Sequence, residues 1–244
     1  MNKIIVTSAL LAGLSSSAFA VGLRPSSSAL TSAIEVLNLP GENRRMVIRG
    51  QGDKHYQNFI SVAFNEAQPM SLRWRALMAA AEAKGMQATA DLVKAGAHKQ
   101  WYMRNAALVA LSEVNPEQGE KLAQKLLKDK ALVVRSAAVS VLEKSSSMTV
   151  RELLWEELNQ GYNFKNSQSL WIRHQIVEIL AQKPMDREIR SFAQLLSDKD
   201  QRVHLPAVRG LEKLTGIKLG GGQEKPSALV GLWKNYVKKE AIEL

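Results

Sequence analysis

The strongest constraint in this sequence is that it copies itself. Five segments align on one basic residue: LRWRALMAA at Arg73, MRNAALVAL at Arg104, VRSAAVSVL at Arg135, IRHQIVEIL at Arg173 and VHLPAVRGL at His204. Three of the four intervals between successive anchors are equal. The exception, from Arg135 to Arg173, is the same unit carrying seven extra residues, around Asn159–Gln168. Three positions after the anchor stand Ala76, Ala107, Ala138, Ile176 and Ala207; one further stand Leu77, Leu108, Val139, Val177 and Val208. Seven after it stand Ala80, Leu111, Leu142, Leu180 and Leu211. That spacing puts one apolar stripe on a helix, and the recurring alanines let a neighbouring helix come close.

A shorter amphipathic stretch precedes each copy: HYQNFISVAFNEA, MQATADLVKAGA, PEQGEKLAQKLLKD, MTVRELLWEELNQ and DREIRSFAQLLSD. Pro116 suits a first helical position, and Thr149 and Asp186 suit early-turn or capping roles. Two helices per unit, repeated at this short and even interval, predict an all-α solenoid, in which stacked neighbours bury a stripe that no unit can bury alone. The pattern φ-R-x-x-A-φ-x-x-L over residues 54–216 resembles the HEAT-like repeats of the short HEAT and phycobilin-lyase-type arrays. The resemblance implies a right-handed α-solenoid of about five helical hairpins, with the second (B) helices lining a concave surface. It also implies an acid in each inter-helix turn, beside the B-helix arginine. Asp129 stands six before Arg135 and Asp198 six before His204, but His98, Ala67 and Ser167 hold the other places. A continuous ladder of ion pairs is therefore not expected.

The flanks read as caps. Residues 21–53 suggest a short helix over Leu30–Leu37, a turn at Pro40-Gly41 and a further helical turn. Residues 217–244 suggest a Gly-rich loop and an amphipathic helix, whose Leu229, Leu232, Trp233, Tyr236 and Val237 close the last unit. Residues 1–20 have a charged start (Lys3), a short apolar run and Ala18-Phe19-Ala20, the pattern of a signal peptide cleaved after Ala20. The run is too short for the roughly 20 residues a membrane span needs. The expected location is the bacterial periplasm or exterior.

Chemistry is sparse. The chain has no cysteine, which excludes disulfides and thiolate chemistry. His55, His98, His174 and His204 fall in no metal-ligand spacing, and neither a metal nor a cofactor is expected. Gly220–Gly222 lacks the ending of a phosphate loop. No nucleophile signature is present, and Glu156-Glu157 reads as a solvated pair. The net charge is +10, without a dense basic run; for an exported chain this favours anionic envelope polymers, lipid or acidic proteins over nucleic acid.

Binding residues are better placed. Off the apolar stripe, near the starts of the B helices, stand Trp74, Arg75, Trp101, Tyr102, Asn105, Trp171 and His174, while Arg73, Arg104, Arg135, Arg173 and His204 hold the structural repeat position. Aromatics beside arginine suit a peptide or glycan partner. The expectation is a non-enzymatic protein-binding or scaffold protein, with envelope attachment through the basic surface as the alternative. A HEAT-like DNA glycosylase would need an aspartate among the tryptophans. Glu82, Glu113, Glu143, Glu178 and Glu212 do not supply that arrangement.

Overall fold

A computed structural model describes residues 26–222 and 224–240; the expected signal peptide, residues 1–20, lies outside them. The described chain is mostly helical. The first helices of the hairpins are α2 (Gly41–Phe64), α4 (Thr89–Gly96), α6 (Pro116–Leu126), α8 (Met148–Leu158) and α10 (Ile189–Leu195). Their partners are α3 (Met70–Lys84), α5 (Trp101–Val114), α7 (Leu132–Leu142), α9 (Trp171–Gln182) and α11 (His204–Thr215). At the two ends lie α1 (Ser27–Asn38) and α12 (Pro226–Lys239).

Each B helix packs on its own hairpin partner and on the next B helix, α3 on α5, α5 on α7, α7 on α9 and α9 on α11. The stripe residues explain this. The alanines, leucines and valines three, four and seven positions past each anchor are all buried. One apolar core runs from Ala33 to Leu111 and a second from Leu108 to Trp233 and Val237; Leu122 packs on both, so they meet at α5 and α6. Close approach there depends on Gly119, where a Cβ would stand 2.8 Å from the Ser112 Cα on α5.

Three details depart from the sequence reading. First, α2 is one helix of 24 residues, so the capping segment and the first unit are continuous, and position 53 falls inside it. Second, the seven-residue insertion forms a 3-10 turn (Gly161–Asn163) and a small antiparallel ladder, β1 (Phe164–Lys165) and β2 (Gln168–Ser169). Asn166 and Ser167 take positive φ at its tip, as a two-residue hairpin turn of the twist-matched kind requires. Third, the glycine loop has its own anion: the Gly221 and Gly222 amides donate to the Glu224 carboxylate.

Candidate functional site

The repeated arginines are buried and fix the inter-helix turns from which the B helices start. Arg104 donates from Nη1 to the carbonyls of His98 and Lys99 in its own turn, at 2.9 and 3.0 Å. Its Nε and Nη2 bind both oxygens of Asp129 in the next turn, at 2.5 and 2.7 Å. Arg173 repeats the arrangement, with Leu158 O and Asn159 Oδ1 in its own turn and Asp198 in the next. Arg73 reaches Ala63 O behind it, and the Tyr102 hydroxyl (2.6 Å) and His98 ahead. Arg135 holds Asp129 O in its own turn and the Asn163 side chain and Tyr162 O ahead. His204, the last anchor, faces Asp198 O.

A ladder therefore exists, but it runs forward. Asp129 serves Arg104 and Asp198 serves Arg173, in each case the arginine of the preceding unit and not the anchor six positions on. Two rungs are ion pairs. A third is the Asn163 side chain, which the insertion supplies, and a fourth is formed by Tyr102 with His98. Burial by itself pushes the Asp129 and Asp198 carboxyls up, but the arginine and backbone N–H bonds hold both below the usual carboxylate range. Burial and the charge of Arg73 hold His98 below the usual imidazole range.

The turns deliver aromatic residues to the starts of α3 and α5. There Met70, Ser71, Trp74, Arg75, Trp101 and Tyr102 line an open, mainly apolar groove of about 560 Å³. Trp101 is 40% exposed and Trp74 half-buried. A second groove adjoins it across Trp74 and Arg75, between α2 and α3. Four of the seven predicted binding residues thus come together, in differing roles. Tyr102 is buried at 9% exposure, because the second position of α5 turns inward and its hydroxyl is the acceptor for Arg73. Arg75 binds Leu37 O and Asn38 Oδ1, which fastens the end of α1 to α3. Asn105 is half-buried and lines neither groove, and its buried Oδ1 has no hydrogen-bond partner among the described residues.

Trp171 is 47% exposed at the start of α9 and does not line the groove. His174 is committed to Arg202 O at 2.8 Å and lies 3.4 Å from Glu178.

The crystal structure of YibA from Escherichia coli aligns with 89% of this chain and 84% of its own, at a TM-score of 0.52 and 15% identity. That likeness is one of fold. No protein-family model and no curated protein matches the chain.

Three polar clusters escaped the sequence reading. Glu157 is buried at 2% exposure, with Oε1 unbonded among the described residues, which corrects its assignment to a solvated face. Burial pushes its carboxyl up, against the pull of the Tyr162 hydroxyl and the charges of Lys128 and Arg135. Glu188, also buried, accepts hydrogen bonds from Nε and Nη2 of Arg151 at 2.5 Å, from the Trp155 indole at 2.8 Å and from the Met185 amide at 2.9 Å. Tyr56 donates to Asp91 at 2.6 Å, tying α2 to α4. Glu157 and Tyr56 each stand on an otherwise apolar helix face, the one signal available in the sequence. Among the described residues no cluster of His, Asp and Glu is placed to hold a metal, and no helix is long and apolar enough to cross a membrane.

Proposed function

We propose that this chain is a non-enzymatic protein-binding or scaffold protein, exported to the bacterial periplasm or exterior and built as a right-handed α-solenoid of five HEAT-like hairpins. The order of packing, B helix on B helix, supports the solenoid, and the leader pattern supports export. The single observation carrying the function is the apolar groove between α3 and α5, with the Trp101 indole exposed at its rim. Tryptophan beside a rigid apolar wall supplies large contact area at little conformational cost, the character of an interface hot spot. A glycosylase-type reading needs an aspartate among those tryptophans, and the residues lining the groove include none.

The test is capture from an envelope extract with the chain beginning at Val21. A specific protein should be recovered, and Trp101→Ala should weaken recovery about tenfold or more, as hot-spot truncation does. Equal recovery by wild type, Trp74→Ala and Trp101→Ala would sink the assignment of the groove. The exposed lysines favour the alternative of attachment to anionic polymer or lipid. Association of that kind is screened over roughly 8 Å at physiological ionic strength, so moderate salt should release it while groove-centred binding persists.

A further inference from the structure

The apolar groove does not end where the tryptophans end. It shares Trp74 and Arg75 with the second groove, of about 270 Å³, whose other walls include Arg44, Arg45 and Met78. Arg44 on α2 and Arg75 on α3 converge there: their Nη1 atoms donate to the same carbonyl, Leu37 O, at 3.3 and 3.1 Å. The remaining acceptors are Leu39 O for Arg44, and Ser71 O and Asn38 Oδ1 for Arg75, all of them neutral. Two like charges are thus drawn onto one neutral oxygen, and neither has an ion pair among the described residues. The acids nearby are committed elsewhere, Glu42 to Arg45, and Glu82, which also lines the second groove, to Arg49 at 3.6 Å. Arg44 keeps its Nε and Nη2 without a partner among the described residues. That edge is the one by which Arg104 grips both oxygens of Asp129 and Arg151 both oxygens of Glu188.

Resting on the protein-binding reading, we infer that the two grooves form one composite site for a linear peptide segment of the partner, in which an Asp or Glu side chain lies within two residues of an aromatic or long aliphatic one. The apolar side chain enters between α3 and α5 against Trp74 and Trp101. The carboxylate takes the free edge of Arg44, with Arg75 alongside. Charge complementarity selects the acid, because the planar fork of a guanidinium matches the two oxygens of a carboxylate in geometry as well as in sign. Closeness in sequence follows from the shared wall. Trp74 and Arg75 belong to both halves, and same-face side chains of an extended segment stand only about 7 Å apart. A ligand with either group alone fills half of the site.

The experiment follows the tryptophan indole N–H signals of the chain beginning at Val21 by two-dimensional NMR, with Trp74→Phe and Trp101→Phe identifying the two at the site. Three acetylated, amidated heptapeptides built on glycine and serine are titrated. The first has phenylalanine at its centre and an aspartate two residues to either side. The second carries asparagine for both aspartates, and the third alanine for phenylalanine. The first should shift the Trp74 and Trp101 signals to saturation and bind about tenfold more tightly than either of the others. Arg44→Gln should weaken the first peptide about tenfold and leave the second unchanged, a selective loss that a merely structural role for Arg44 would not give. Arg44 also holds Leu37 O and Leu39 O, so the thermal midpoint of the variant is compared with wild type. Arg44→Lys, which keeps the charge but not the fork, should retain only part of the preference for aspartate. Equal binding of the three peptides, no shift at either indole, or an equal loss of the first and second peptides in Arg44→Gln overturns the inference. If Trp101→Ala abolishes capture of an envelope protein while Arg44→Gln does not, the composite site falls and the groove assignment stands; if neither has an effect, both fall.

Discussion

At the scale of single residues, the polar groups sealed among the helices govern pH response. Asp129 is the acceptor of a bidentate pair with Arg104, and the two side chains are 5% and 9% exposed. Asp129→Ala strands a buried guanidinium, a change that typically costs about 3–5 kcal/mol. Asp198→Ala should cost less, because Asp200 remains 3.8 Å from Arg173. Chemical denaturation of both variants at pH 7 checks the order. The native carboxyls of Asp129 and Asp198 lie below their unfolded values, so their contribution is complete above about pH 4 and drains away as pH falls through the native values. Glu157 has the opposite sign. Its native carboxyl is held above the unfolded value, so its charge destabilises the fold at neutral pH and the penalty fades as pH falls through that raised value. Glu157→Gln should therefore raise the thermal midpoint at pH 7, by about 2–4 °C per kcal/mol recovered at this chain length, with the gain lost near pH 4. A midpoint lowered at pH 7 would refute that sign.

Among the helices, packing rests on backbone approach at a few positions. Gly119 touches the α5 backbone, and neither element can give way without parting the two cores. Gly119→Ala should cost about 1–3 kcal/mol, the range for overpacked interiors. Gly231→Ala on α12, where nothing lies within 4 Å, should be neutral or gain up to about 1 kcal/mol from helix propensity. Urea midpoints of the pair give the comparison.

The hairpin helices were legible because a helical period survives in single letters, and every anchor-relative stripe residue is buried. The continuity of α2 was not, since Gly50, Gly52 and the surrounding charges read as a cap boundary when Ala83, the packing partner of Gly52, is unseen. The direction of the ladder was also hidden. An acid six positions before an arginine looks like its partner, whereas the solid geometry gives it to the arginine of the unit before. The burial of Tyr102 was hidden for a related reason: one step along a helix turns a side chain by about 100°, enough to exchange an exposed indole at Trp101 for a phenol that lines the groove from within.

For the molecule as a whole, contacts are made between neighbours in the chain, so stability should be regional. Trp233 is fully buried and closes the C-terminal core. Trp233→Ala should remove about 3–5 kcal/mol. Hydrogen exchange should then lose protection first in α11 and α12, while α2, α3 and α5 hold theirs. Uniform loss along the chain would show a single cooperative unit instead. The forward ladder adds a rule about order. Each arginine is joined by the chain to one hairpin and by its guanidinium to the next, and the acceptors differ: a phenol with an imidazole, a carboxylate, a carboxamide, a carboxylate. Units with nearly identical helices are therefore not interchangeable. Excising one by protein engineering would leave the arginine before the cut facing a receptor made for another, so the array carries its sequence of assembly in its hydrogen bonds.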